Sequence, residues 1–291
     1  MLPWSRGLRK EFLPLFDRGA SDALVLKPVA HIVLETLARA GIADVTLVVQ
    51  PRDVSIVRSY FTTDARLLER PRAHPDRFAE TRKLHGRLRR LRLRYAVQPV
   101  PIGFGDAVLR AEPFVDGHPF LLHASDAVLD EPQRGTLPRA MGALLTSEDL
   151  DAVLLVRRVA NPKRYGVVEG RAAGRYRGWR RLEVTGMEEK PAHPRSRWAA
   201  TAIYAFSPRL FPALRRTRRA VRAGGEVEVT HGIQELLRTG GRVVALIADR
   251  PTAWRSVGSP EGYYRALRAT RLQRVSGVRG PSGPPTTPDR R

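Results

Sequence analysis

The chain predicts an α/β fold, a sheet with helices on both faces, and three observations carry that expectation. Helix-spaced apolar runs alternate with short β-branched runs along the chain. Glycine, amide and acidic residues cluster just beyond several of the apolar runs, where ligands gather in such sheets. The length, 291 residues, is enough to bury a substantial core.

The first helix is predicted over Pro28–Ala40, where Val29, Ile32, Val33 and Leu37 share one face and Gly41 supplies the stop. VTLVV at 45–49 reads as a buried parallel strand. Residues 53–70 read as helical, and 76–92 as a basic helix with Leu84, Leu88 and Leu91 on one side. A strand comes next at 93–98, then a glycine-containing turn, PIGFGD, and a helix start at AVLRAE. PFLLHASDAVLDE predicts a strand with acids past its end, and AVLLVRRV at 152–159 another strand. A hairpin is expected near RGWRRLEV, a strand at TAIYAF, a helix over 229–239 and a last strand at RVVALIA. The end of the chain, 272–291, is Gly/Pro-rich and reads as a disordered tail behind one domain spanning 1–271.

Charge is the extreme feature of the composition, at +22. Such a balance suits an anionic partner: nucleic acid, a membrane surface or phosphorylated small molecules. Only five of the 51 basic residues are lysine (Lys10, Lys27, Lys83, Lys163 and Lys190), so an arginine-favouring composition accounts for most of the excess. A lysine that survives such a bias marks a place where a compact ammonium is needed in preference to a planar guanidinium. The basic stretch RLRRLRLR at 87–94 is read as a solvated helix running into a strand, with no specific nucleic-acid role. No apolar run reaches the length of a membrane span, the N-terminus lacks a signal-peptide stretch, and cysteine is absent. The expectation is a cytoplasmic protein without disulfides or thiolate metal sites.

Four segments place chemistry-bearing residues after strands or turns. Lys10 ends a basic loop, and Gln98 ends a strand with Gly103 and Gly105 just beyond it. Asp126 comes directly after an apolar strand, and Glu189 and Lys190 precede a proline. Each has an ordinary alternative: a solvated lysine, a polar strand end, a tight turn, a helix N-cap or an exposed ion pair. Together they supply a phosphate-binding cation, a base-reading amide, close-approach glycines, a metal carboxylate and an acid–cation pair.

Their order resembles that of the sugar-phosphate nucleotidyltransferases, and within them the bacterial-type UTP–glucose-1-phosphate uridylyltransferases. The likeness runs through KEFLPL, KPVAHIVLETLARAGI, GFGDAVLRAEPFV, SDAVLDE, RYGVVEG, MEEKP, IYAFSPRLF, GEVEVTHGIQELL and VGSPEGYYRAL, covering about residues 1–270. The resemblance implies a Rossmann-like fold with a mostly parallel mixed sheet. It implies transfer of a nucleotidyl group from UTP to a sugar 1-phosphate, with Mg²⁺ and release of pyrophosphate. Lys10 is similar to the family lysine on the triphosphate, Gln98 to the amide that reads uracil, and Gly103 to the glycine beside the base. Asp126 takes the place of a Mg²⁺ ligand, Gly166 of the glycine at the sugar, Glu189 of the carboxylate on sugar hydroxyls, and Lys190 of the cation on the sugar phosphate. Related enzymes are commonly oligomers, so a homo-oligomer is expected.

The pattern departs from the family in three places. The family opens with a buried strand and a G-x-G-T-R loop, and MLPWSRGLRKEFLPLF is similar to the family segment directly after that arginine. The first strand and the first half of the phosphate loop are therefore expected to be missing from this chain. Where the family has W-x-D-[VIC]-G, this chain has Trp254-Arg255-Ser256-Val257-Gly258, so Ser256 replaces the second Mg²⁺ carboxylate. Ala200 and Ala202 stand in the region of a family asparagine and glycine. These departures keep a degenerate nucleotide-binding protein of the same fold as the runner-up, and a basic nucleic-acid binder behind it.

Overall fold

Buried and half-buried residues alternate from Leu13 to Arg18, as a strand requires, and the chain folds there into a hairpin. β1 (Pro14–Arg18) pairs antiparallel with β2 (Leu24–Pro28) in the computed structural model, which describes residues 9–19, 23–62, 86, 88–221, 224–249 and 251–276. The opening loop at 1–8, most of the basic helix expected at 76–92, and the tail beyond 276 lie outside the described residues.

The hairpin, absent from the sequence-based reading, buries charge. Lys27 is 2% exposed, and its ammonium donates to the Arg18 carbonyl at 2.8 Å and Glu35 Oε2 at 2.8 Å, with Asp17 Oδ2 at 3.0 Å. Three protons meet three oxygens, a match that a planar guanidinium would not reproduce. Arg134 closes the cluster from the far side of the sequence, reaching Asp17 at 2.6 and 2.9 Å and Glu35 at 3.0 Å. Burial alone would raise the Asp17 carboxyl, but Arg134 and Lys27 hold it well below the usual range. Glu35 is likewise favoured upward by burial, yet His31 and Lys27 bring it down to about 2.

α1 (Val29–Arg39) forms as the spacing predicts, with Val29, Ile32, Val33 and Leu37 buried and Gly41 beyond it at φ 92°. β3 (Asp44–Val49) pairs in parallel with β4 (Arg92–Val97), but its residues are mostly half-buried, so the buried-strand expectation holds for pairing and not for depth. α2 (Val54–Phe61) is the described part of the helix expected over 53–70. α3 (Phe104–Val115) begins earlier than expected: Gly105 lies in its first turn, and the preceding turn ends at Gly103.

β5 (Phe120–His123) and β6 (Ala127–Asp130) flank Asp126. α4 (Thr136–Ser147) buries Leu137, Met141, Leu144 and Leu145 against β7 (Ala152–Arg158) and β10 (Trp198–Phe206). β8 (Gly166–Tyr176) and β9 (Trp179–Glu189) form the expected hairpin, closed by Arg177 and Gly178, both at positive φ. With β11 (Val243–Ile247) these strands make a six-stranded sheet in the order β5-β10-β7-β11-β9-β8. The sheet is mixed. Only β7–β11 pairs in parallel within it, because the long β8–β9 hairpin and the return strand β10 impose antiparallel ladders.

α5 (Leu210–Ala220) and α6 (Val229–Arg238) cover one face of the sheet, and α4 covers the other. β12 (Ala253–Ser256) pairs with β6, and α7 (Pro260–Ser276) returns to pack on β1. That last helix runs past 272 to Ser276. No helix among the described residues is long and apolar enough to cross a membrane.

Candidate active site

Asp126 sits in the turn between β5 and β6, and its carbonyl oxygen accepts from Val257 N–H at 2.9 Å. This bond, together with the Ser256–Ala127 pairing of β12 with β6, brings two distant stretches of the chain side by side. A Cβ placed on Gly258 would lie 3.2 Å from Ser256 Oγ and 3.3 Å from Asp126 Oδ2. The two oxygens therefore face one small space that a glycine keeps open. Lys10, in a 3-10 turn just before β1, places its ammonium 2.5 Å from Asp126 Oδ2 while half its side chain stays in solvent. Arg255 does not add charge to this space, because its guanidinium lies 3.2 Å from the buried Asp130.

Gln98 and Gly103 form a second cluster. The Gln98 amide donates to the Gly103 carbonyl at 3.1 Å and to Asp106 Oδ2 at 3.0 Å. Gly103 has φ 118°, and a Cβ there would fall 2.4 Å from the Val227 carbonyl oxygen, so no other residue fits.

The third cluster joins Gly166, Glu189 and Lys190. Gly166 pairs with Glu189 in the β8–β9 ladder, and Lys190 N–H donates to the Tyr165 carbonyl at 3.1 Å. A Cβ on Gly166 would sit 2.9 Å from Met187 Cε and 3.2 Å from Glu189 Oε2. Thr230 donates to Glu189 Oε2 at 2.6 Å. The neighbouring Glu189 carboxylate, hydrogen-bonded to Lys190, raises the lysine's affinity for its proton. Glu228 is pushed up to about 6, first by burial and then by the negative charge of Glu189 and a hydrogen bond with Glu226.

Shared segments stitch the clusters together. Gly105 N–H donates to the Val227 carbonyl, and Val227 N–H to the Ile102 carbonyl, tying the turn at Gly103 to the segment that carries Glu228 and Thr230. Arg157 lies over both the Tyr165 ring, at 5.6 Å, and the Trp254 ring, at 4.5 Å, linking the turn before Gly166 to β12. Ala124 N–H donates to the Ala202 carbonyl, so the loop carrying Asp126 leans on a bulge in β10.

Several contributors had no clear signal in the sequence. Asp106 reads as an acid in a first helical turn, where the macrodipole favours it. Thr230 and Glu228 lie inside GEVEVTHG without a chemical pattern of their own. His123 occupies a strand end, and burial pushes its imidazole down to about 4. Its Nδ1 faces the Ala124 carbonyl at 2.8 Å, and Nε2 is buried without a partner among the described residues.

Ala202 stands at φ 57°, inside the bulge between Ala200 and Tyr204. A side chain in that left-handed conformation is strained, and glycine would relieve it. Ala202→Gly is expected to stabilise the protein by about 1 kcal/mol, read as a higher urea midpoint with an unchanged slope.

Comparison with known proteins agrees with this fold. The profile of the Nucleotidyl transferase family matches residues 14–273. A glucose-1-phosphate thymidylyltransferase of Streptomyces antibioticus is 28% identical over 81% of this chain, which spans 56% of that relative's length. Another, from Neisseria gonorrhoeae, is 26% identical over 91% of this chain and 76% of its own. Among solved structures, an apo UDP-glucose pyrophosphorylase superposes with a TM-score of 0.79 at 21% identity, covering 94% of each chain. The mixed sheet and a profile match over most of the described residues lead to one assignment: the chain belongs to the nucleotidyl transferase family.

Proposed function

We propose that this chain joins dTTP or UTP to a sugar 1-phosphate, with glucose 1-phosphate the first candidate, giving a nucleotide-sugar and pyrophosphate. A sugar-phosphate oxygen attacks the α-phosphorus, a P–O bond forms, and the bond to the bridging oxygen breaks as pyrophosphate leaves. The observation that carries the reading is the pair of lysine–carboxylate clusters, Lys10–Asp126 beyond the end of β5 and Lys190–Glu189 at the end of β9. Nucleotidyl transfer needs charge neutralisation and positioning more than proton transfer, and ammonium groups at both phosphate-binding ends would supply them. In this reading Gln98 and Gly103 meet the base, Lys10 the triphosphate, Lys190 the sugar phosphate, and Gly166 and Glu189 the sugar.

The sequence pointed to UTP, whereas the curated relatives are thymidylyltransferases. We therefore place dTTP ahead of UTP. The chemistry belongs in the cytoplasm, and the excess of arginine needs no nucleic-acid partner.

Mg²⁺ fits the donor set in its minimal form. Asp126 would hold it, with Ser256 Oγ alongside, and the ion would neutralise charge on the substrate phosphates. No group of three or more His, Cys, Asp or Glu side chains suited to a metal occurs among the described residues. Substrate oxygens and water would complete the shell, as is common for this ion.

A second reading, a binding protein of the same fold, is favoured by one observation: Ser256 offers a neutral oxygen where a second carboxylate would bind more strongly. Pyrophosphate release measured with dTTP, UTP and CTP against glucose 1-phosphate separates the two. Turnover with dTTP and UTP but not CTP is expected. Micromolar dTTP binding without turnover would instead establish the binding protein.

A further inference from the structure

We infer that Asp106 is a positioning residue that fixes which way the Gln98 amide faces, and that it thereby sets the choice of base. The inference rests on the reading of Gln98 as the group that meets the base. A glutamine amide can be turned end for end, presenting either its NH₂ or its carbonyl oxygen to a ligand, and only its hydrogen-bond partners decide. Here the partners decide fully. The Gly103 carbonyl accepts one Nε2 proton and Asp106 Oδ2 the other, at 3.1 and 3.0 Å. A carbonyl and a carboxylate can only accept, so the amide has no alternative orientation that keeps both bonds.

Asp106 is itself held. It is 0% exposed, lies in the first turn of α3, and has Arg110 at 3.4 Å and Arg218 at 3.6 Å from Oδ1. The two guanidinium groups balance its charge, and although Arg110 Nε also reaches Oδ2 at 3.5 Å, the shorter bond to that oxygen comes from Gln98. The turn that supplies the other acceptor is equally fixed, because Gly103 is pressed against the Val227 backbone. Gln98 Oε1 makes no hydrogen bond among the described residues, and it is the atom left to meet a ligand.

A lone carbonyl oxygen asks for a donor. Uracil and thymine carry a proton on N3, whereas cytosine carries a lone pair there. Opposite Oε1, the first two gain a hydrogen bond, and cytosine meets an acceptor facing an acceptor. Such a mismatch in a desolvated site is among the strongest sources of discrimination available to a binding pocket. Asp106 thus selects the 4-oxo pyrimidines as a class without touching the base, and it leaves uridine against thymidine to other contacts.

The test compares UTP and CTP affinities by calorimetry, which does not depend on turnover. The wild type is expected to favour UTP by at least about a hundredfold. Asp106→Asn replaces an obligate acceptor by a group that can donate or accept, freeing the Gln98 amide to turn; the preference is expected to fall about tenfold or more. Asp106→Glu keeps an acceptor-only carboxylate and should retain most of it. An Asp106→Asn protein with a lower melting temperature and an unchanged UTP/CTP ratio would overturn the inference and leave Asp106 a purely structural acid. Should that variant fail to fold, the wild-type Gln98 side-chain amide decides by NMR. Two Nε2 protons shifted from free-glutamine values and protected from exchange with water support the inference, and a pair at free-glutamine shifts with unprotected exchange contradicts it. The underlying reading fails separately, if Gln98→Ala leaves the ratio unchanged.

Discussion

Lys27→Met is expected to destabilise the protein by about 3–5 kcal/mol, the cost of removing one partner from a buried ion pair and leaving the other charged. Asp17 and Glu35 are each 1% exposed and would lose the ammonium that both share, with Arg134 still facing them. Lys27→Arg should recover little, since a planar fork cannot serve three acceptors arranged for an ammonium. Urea unfolding at neutral pH measures both. The same titration in acid carries a sign. Both carboxylates have folded-state values below their usual ones near 3.8 and 4.5. Their contribution is therefore complete above the unfolded values and is lost as the pH falls through the folded ones, with Glu35 giving way towards about 2. The wild type should lose stability steadily below about pH 5, and the Lys27→Met protein, with weaker pairing to lose, should show a shallower decline.

Ser256→Asp is expected to lower the Mg²⁺ concentration giving half-maximal activity by about tenfold or more, corresponding to at least about 1.4 kcal/mol of added affinity. Ser256 Oγ already faces the space beside Asp126 Oδ2, so a carboxylate there would give a hard cation two charged oxygens in place of one. Arg255, engaged with Asp130, would not compete for the new charge at its present position. The lost bond from Gly258 N–H to Ser256 Oγ, 3.1 Å long, can be remade by the longer carboxylate. Calorimetric Mg²⁺ binding in the presence of a non-hydrolysable dTTP analogue, beside the activity titration, separates metal affinity from turnover. Equal Mg²⁺ dependence in both proteins would show that residue 256 does not share the metal site.

Where local pattern and tertiary environment agree, the sequence was readable. α1 has its apolar residues at 29, 32, 33 and 37 because that face packs on the core, and Gly41 ends it because the chain needs a positive φ there. β7 is apolar without a break from Ala152 to Val156 because both its faces are covered there. The β1–β2 hairpin was not readable. Lys27, Asp17 and Glu35 look like surface residues until Arg134 arrives from about a hundred positions away to make their burial tolerable. For Gly105 the close-approach reading holds over the tight-turn one, although what comes close is the chain's own Val227 backbone.

The candidate site shows the same division. Lys10, Gln98, Asp126, Gly166, Glu189 and Lys190 could be picked out one by one from order and resemblance. Ser256 beside Asp126 followed from the same resemblance, but Thr230 on Glu189 and Asp106 on Gln98 did not, because those pairings are products of folding. The surviving lysines carried real information. Lys10 and Lys190 each sit on a carboxylate of the site, and Lys27 fills a buried position fitted to an ammonium.

Phosphorus NMR of the reaction mixture follows transfer of a nucleotidyl group to a sugar 1-phosphate bond by bond. Protein, Mg²⁺, dTTP and glucose 1-phosphate should give free pyrophosphate and the paired doublets of a nucleotide diphospho-sugar in equal amounts, with UTP a slower or comparable substitute. Unchanged spectra with both nucleotides, or release of orthophosphate and a nucleoside diphosphate without a sugar adduct, would contradict it.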